Sequence, residues 1–155
     1  MTLDFETITS VHLKELGPSD QAGSMTTYAY IELQDGRVIN KVEVNTALTG
    51  KLTESLQTGQ SVDLHLMRSA RNPDSTGLAA IKTSSGRLFA QKVPDVPVWL
   101  RSAVPIIYAC GVITIPLLGL GLMLLWVGRK LQKELAMVEQ LRTYVRGLPD
   151  AVLLG

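Results

Sequence analysis

The chain has 155 residues, 15 of them lysine or arginine and 14 aspartate or glutamate, which gives a net charge of +1. Residues 1–101 hold ten basic and eleven acidic residues. Phosphate contacts need a basic face, so nucleic acid is not an expected partner of a segment this close to neutral. Cys110 is the only cysteine, which excludes a disulfide within the chain. The length fits one small domain and an additional segment.

Residues 1–92 predict one small domain that is mainly β-structure. Alternating apolar and polar residues predict strands over 10–16, 25–33, 37–44, 61–67, 78–83 and 87–92. Between the third and fourth strands, Asn45 or Thr46 can cap a short helix, and Gly59 can end it. Turn-forming residues predict loops over 17–24 and 68–77.

Three strands, a short helix and further strands follow the order of an OB-like β-barrel. With the helix ending in LQTGQSVDL, residues 8–91 resemble the small β-barrel modules of NfeD-type membrane proteins. The resemblance implies an OB-like barrel with a scaffold role at a membrane. In that family the barrel follows the transmembrane segments, whereas here it precedes the uncharged segment. An SH3-like barrel or a small sandwich fits the same pattern.

An uncharged run of 27 residues, 102–128, lies between Arg101 and Arg129. As one helix it would rise roughly 40 Å, more than the ~30 Å hydrocarbon core of a bilayer. Leucines cover every side of its second half, whereas a soluble helix shows a polar face. The run therefore predicts a single transmembrane helix over 102–128, preceded by a proline-containing linker over 93–101.

Four residues are predicted to lie at the membrane interface, as aromatic and basic residues do beside a span: Trp99, Trp126, Arg129 and Lys130. Pro116 is expected to kink the middle of this helix. The alternative is a buried hairpin of two short helices that is broken at Pro116.

Residues 129–155 predict an amphipathic helical tail, with a helix over 129–149 that is continuous with the span. An apolar stripe on one face must bury against a partner or a lipid surface. Four residues of this stripe are predicted to bind a partner: Leu131, Leu135, Val138 and Val145. The apolar end, AVLLG (151–155), is expected to dock on the rest of the protein.

No motif of a known catalytic or nucleotide-binding site occurs in the chain. His12 and His65 have no cysteine or carboxylate at metal-ligand spacing. No metal, cofactor or enzymatic activity is therefore expected. Tyr28 and Tyr30 form a possible binding platform on the barrel, and cross-strand packing is the alternative interpretation of this pair.

The predicted location is the inner membrane, as a single-pass protein. Basic residues after the span favour a cytoplasmic C-terminus. A folded domain that precedes its only span would instead stay in the cytoplasm. The orientation with a cytoplasmic N-terminal barrel is the favoured one. The predicted function is that of a single-span accessory or scaffold subunit. It would present its barrel for protein–protein contacts within a larger membrane complex, with lipid and another membrane protein as partners.

Two other functions fit the same features. One is a membrane-tethered module that binds a peptide, polysaccharide or nucleic acid on its barrel. The other is a membrane immunity or inhibitor protein. The oligomeric state is left open.

Overall fold

The computed structural model describes residues 3–69, 72–93, 95–113 and 120–154. These residues fall into two compact units. The first, here called the sheet unit, consists of residues 3–92 and 141–154. The second, here called the hairpin unit, consists of residues 93–140.

The described part of the sheet unit contains nine strands and one complete helix. In chain order these elements are β1 (Leu3–Val11), β2 (Leu13–Leu16), β3 (Ser19–Ala22), β4 (Met25–Leu33), β5 (Val38–Asn45), α1 (Thr46–Thr58), β6 (Val62–Ser69), β7 (Asn72–Thr83), β8 (Leu88–Gln91) and β9 (Ala151–Leu154). The strands belong to one sheet, with the main order β1-β6-β7-β5-β4-β2. Strand β3 pairs with β4, and β8 pairs with both β7 and β9. The β5–β7 and β8–β9 pairs are parallel and the others antiparallel, so the sheet is mixed.

The predicted fold class, an OB-like barrel with one transmembrane helix, is wrong: the fold is a mixed sheet that does not close into a barrel. The strands also depart from the predicted pattern at Ser10, where β1 leaves its register with β6 and the backbone adopts a φ of 53°. The next strand, β2, pairs with β4 instead. The single strand predicted over 10–16 is thus divided between the two ends of the sheet order.

The core of the sheet unit is formed by side chains of six strands and of α1. Leu48 and Leu52 of α1 are fully buried, as are Leu64 and Leu66 of β6. Asn45 caps the helix, because its side-chain oxygen accepts a hydrogen bond from the backbone N–H of Ala47 at 3.0 Å. At its other end, α1 stops at Gly59, which has a left-handed φ of 62°.

The hairpin unit is built from α2 (Val98–Ile113) and from α3 (Leu120–Gly147) as far as residue 140. Arg101 lies beside Glu139, and Tyr108 lies beside Gln132. Higher residue numbers on α2 therefore meet lower numbers on α3, so the two helices are antiparallel. Pro105 lies inside α2 rather than in its first turn.

No helix within the described ranges is both long and apolar enough to cross a membrane. The predicted transmembrane helix over 102–128 is therefore wrong, as are the single-pass topology and the inner-membrane location that rested on it. The reason is that the uncharged run is divided: α2 ends at Ile113, and α3 begins at Leu120 and continues past Arg129 as a charged helix. Pro116, the predicted kink, lies outside the described residues.

Candidate interaction surface

A close contact between α2 and α3 forms the inside of the hairpin unit. Gly128 is buried, and a Cβ atom added there would lie 3.4 Å from the side chains of Ile107 and Tyr108. The hydroxyl of Tyr108 donates a hydrogen bond to Oε1 of Gln132 at 3.2 Å. The missing side chain at Gly128 lets the two helices approach each other at this level.

The outer surface of the hairpin unit carries large apolar side chains that face solvent. Six of them are between 59% and 69% exposed: Trp99, Ile106 and Val112 on α2, and Leu122, Met123 and Trp126 on α3. We call these six residues the apolar face. Trp126 follows Leu122 by four positions and Met123 by three, so these three side chains share one side of α3. Single exposed apolar residues are ordinary, but a group of this kind typically marks an interaction site.

Polar contacts contribute little to holding the two helices together. Nη2 of Arg101 lies 2.7 Å from Oε2 of Glu139, but both side chains are about half exposed. Such exposed pairs contribute about 0–1 kcal/mol. The hydroxyl of Tyr108 and Oε1 of Gln132 form a second polar contact between the two helices, and it is also exposed. Each of these two exposed contacts therefore contributes little to the association of the helices.

A second apolar feature of the hairpin unit is a groove of about 220 Å³. Its lining consists of Asp95, Val96, Pro97, Leu100, Leu131, Glu134, Leu135 and Val138. Three of the residues predicted to bind a partner, Leu131, Leu135 and Val138, are thus brought together here. The residues before α2 complete the groove, and nothing in their sequence pattern pointed to that role.

The other residues predicted to bind partners lie in the sheet unit. Tyr28 is only 6% exposed and packs in the core. Tyr30 donates a hydrogen bond to Oε1 of Glu15 at 2.8 Å, and this bond raises the pKa of Tyr30. Val145 is 5% exposed. Tyr28 and Val145 are therefore packed inside the protein, and Tyr30 is held by Glu15.

The last turn of α3 and the strand after it pack on the sheet. The ring of Tyr144 stacks on Phe5 with 3.9 Å between the ring centroids, and its hydroxyl lies 2.8 Å from Nδ1 of His65. Strand β9 then pairs with β8, and the backbone N–H of Lys92 donates to the carbonyl oxygen of Leu154 at 2.8 Å. The apolar end was predicted to dock on the rest of the protein, but its sequence did not identify it as a strand.

Two clefts open on the sheet unit. The larger, of about 460 Å³, is lined by Lys51, Glu54, Ser55, Thr58, Gln60, Thr83, Ser85, Arg87 and Phe89. The smaller, of about 310 Å³, includes Thr7, Asp63, His65, Lys82 and Asp150. Burial lowers the pKa of His65, and nearby Lys82 acts in the same direction. The larger cleft is mainly polar and the smaller mainly apolar, and both are open to solvent.

Metal-ligand geometry does not occur in the described part of the chain, where no three histidine, cysteine, aspartate or glutamate side chains come together. His12 instead uses Nδ1 in a contact of 2.9 Å with the carbonyl oxygen of Gly59. His65 uses the same atom in its contact with Tyr144. Both imidazoles therefore have local structural partners.

Comparison of the chain with models of protein families, with curated proteins and with solved structures found no match. The resemblance to NfeD-type modules therefore stays a prediction from sequence pattern.

Proposed function

We propose that this protein is a non-enzymatic accessory or scaffold subunit that joins a larger assembly through protein–protein contacts of its hairpin unit. The observation that carries the proposal is the apolar face, with six large side chains exposed on two helices. Interface cores are enriched in tryptophan and methionine and depleted of charge. The apolar face has this composition.

The size of the apolar face supports the same function. A tryptophan side chain offers roughly 150–250 Å² of surface. Trp99 and Trp126, at 69% and 64% exposure, therefore leave on the order of 200–330 Å² open. The four other residues add exposed apolar area on both helices. Covering such a surface gains free energy because apolar area leaves water.

A photo-crosslinking experiment on the full chain tests this function. A photoreactive phenylalanine analogue is placed at Trp126 or at Ile106, and, as a control, at Val38, an exposed apolar residue of the sheet unit. Irradiation in cells that produce the protein should give discrete protein adducts from the two hairpin positions and none from Val38. The proposal fails if all three positions give the same adducts, or if the hairpin positions give none.

A second function, binding of a small polar ligand, is favoured by one specific observation. The cleft of about 460 Å³ combines Phe89, Arg87 and several hydroxyl groups, a mixture that can both stack and hydrogen-bond. Nζ of Lys51 already lies 5.0 Å from the Phe89 ring centroid. Arg87→Ala should weaken binding of such a ligand without changing hairpin adducts, which separates the two functions.

A further inference from the structure

The apolar groove of the hairpin unit, with a volume of about 220 Å³, has the size of a pocket for a partner's side chains. Sites for whole small molecules usually measure about 300–1,000 Å³. Leu131, Leu135 and Val138 stand at i, i+4 and i+7 on α3, so they share one side of this helix. All three line the groove and are half-buried, so part of each side chain is open to a partner.

The charges around the groove are of one sign. Among the described residues that line it, Asp95 and Glu134 are acidic and none is basic. Glu134 lies on α3, one position before Leu135, and is half-buried. In the described part of the chain no ion pair involves its carboxylate. A carboxylate that is partly shielded from water attracts a cation more strongly than a fully exposed one does.

We propose that this groove binds a basic amphipathic segment of another protein, with an aliphatic side chain in the groove and a lysine or arginine against Glu134. This inference rests on the proposed function, because it gives the chemistry of a partner of the hairpin unit. The aliphatic stem of a lysine or arginine can lie along Leu135 while its charged end reaches the carboxylate. Amphipathic helices that dock into grooves present apolar anchors at i, i+3, i+4 and i+7.

The two carboxylates make other occupants less suitable. An acidic protein segment would bring like charges together at Asp95 and Glu134. An anionic lipid surface would do the same. A second copy of this chain also carries basic residues among apolar ones on α3, with Lys130 and Lys133 among them, so the test includes the mass of the chain.

The test measures the binding of labelled synthetic peptides to the full chain by fluorescence anisotropy. The main probe has about 14 residues, roughly four helical turns, with leucines on one side and lysines on the other. One twin carries glutamates in place of the lysines, and a second carries serines in place of the leucines. The leucine–lysine peptide should bind at least about tenfold more tightly than either twin, because it alone matches both the apolar lining and the carboxylates.

Substitutions at the groove show whether the peptide binds there. Glu134→Lys should weaken binding of the leucine–lysine peptide at least about tenfold and strengthen binding of the leucine–glutamate twin. Leu135→Ala should weaken binding of both leucine peptides and leave the ratio of their affinities unchanged.

A matched control makes the same charge change on a helix of the sheet unit. Glu54 lies on α1, its side chain is 60% exposed, and it does not line the groove. Glu54→Lys should therefore leave the order and ratios of the three affinities unchanged. Circular dichroism of each variant checks that its helix content equals that of the wild type.

Four results would overturn the inference. One is equal affinity for the leucine–lysine peptide and its glutamate twin. Another is the same loss of binding in Glu54→Lys as in Glu134→Lys, which indicates general attraction between opposite charges. The third is a mass of twice the monomer in sedimentation equilibrium that Glu134→Lys returns to the monomer mass, which identifies a second copy as the occupant. The fourth is binding to phosphatidylglycerol vesicles that Leu135→Ala abolishes, which identifies a lipid surface.

The inference and the proposed function can fail separately, because neither Trp126 nor Ile106 lines the groove. If the peptides do not differ in affinity but these two positions give discrete protein adducts, the inference fails and the proposed function stands. If the peptides differ as expected but the two positions give no adducts, the groove is a binding site and the apolar face is not the contact surface.

Discussion

In the sheet unit Leu48, Leu52 and Leu64 are fully buried, whereas in the hairpin unit Leu122 and Trp126 are about two-thirds exposed. The sheet unit covers its leucines with its own strands and helix. Two helices alone bury only the strip between them, and the remaining apolar side chains stay in water. The sheet unit therefore buries its own core, whereas the hairpin unit leaves large apolar side chains exposed, which is the feature on which the proposed partner contact rests.

The largest expected effect that tests this difference between the two units comes from truncating one leucine in each of them. Leu64→Ala should lower the free energy of unfolding by about 2–5 kcal/mol, because it opens a cavity in a packed core. Leu122→Ala removes the same atoms from a 68% exposed position, and in the monomer it should change that free energy by no more than about 0.5 kcal/mol. Urea unfolding followed by circular dichroism measures both.

Dilute protein provides the control for the leucine pair, because a partner that binds only the folded chain would add stability by mass action. Equal effects of the two substitutions in dilute protein would show that the hairpin unit also depends on its own packing at Leu122.

Alanine substitution of Gly17 in the sheet unit and of Gly128 in the hairpin unit tests the same difference through smaller changes in stability. A Cβ atom at Gly17 would lie 2.7 Å from the ring of Tyr30, so Gly17→Ala should destabilise the protein by about 1–3 kcal/mol through overpacking. A Cβ atom at Gly128 would meet its neighbours at 3.4 Å, an ordinary contact. Gly128→Ala should therefore be neutral or stabilise by up to about 1 kcal/mol, because alanine favours helix more than glycine does.

Thermal melting of the two glycine variants checks this prediction. A lower melting temperature for Gly128→Ala than for Gly17→Ala would contradict the view that the hairpin packs loosely enough to accept a methyl group. Gly50→Ala in α1 is a control for helix propensity, since a Cβ atom there has no neighbour within 4 Å.

Local pattern predicted the helix α1 and most strands, because alternation and capping act over a few residues. Asn45 and Gly59 were identifiable as helix ends for this reason. Strand pairing was harder to predict from the sequence, because it joins residues that are far apart in the chain. At the break in β1, for example, the backbone N–H of Ser10 donates a hydrogen bond to Oδ1 of Asp63, 53 residues further along. The 17–24 segment contains β3, although its polar composition predicted a loop.

The hairpin unit shows a second limit of sequence pattern. An uncharged run has the same composition whether it forms one long helix or parts of two antiparallel helices. The contacts that distinguish these cases, Arg101 with Glu139 and Tyr108 with Gln132, join residues more than 20 positions apart. The first half of β7, from Asn72, was likewise predicted as a loop because of its polar composition, but it pairs with β6 and β5.

The smallest predicted effect is a pH dependence that is confined to the sheet unit, because both histidines lie there. Burial lowers the pKa of His65, Lys82 lowers it further, and the nearby Asp63 partly opposes them. Thr7 and Tyr144 also face its Nδ1 atom. The unfolded chain then binds a proton at a higher pH, near the ordinary value of about 6.5. The folded protein should keep its full stability above that pH and lose stability as the pH falls through the lowered pKa of His65.

Urea midpoints between pH 7.5 and pH 5 measure this effect in wild type and in His65→Gln. The wild-type midpoint should fall with acidification by more than that of His65→Gln, because glutamine can still contact Tyr144 but does not titrate. Tyr144→Phe keeps the stacking on Phe5 and removes the hydroxyl, so it should lower the midpoint at every pH and retain the dependence on His65. A parallel decline in all three proteins would show that other groups dominate acid unfolding, and that burial of His65 has no measurable linkage to the stability of the sheet unit.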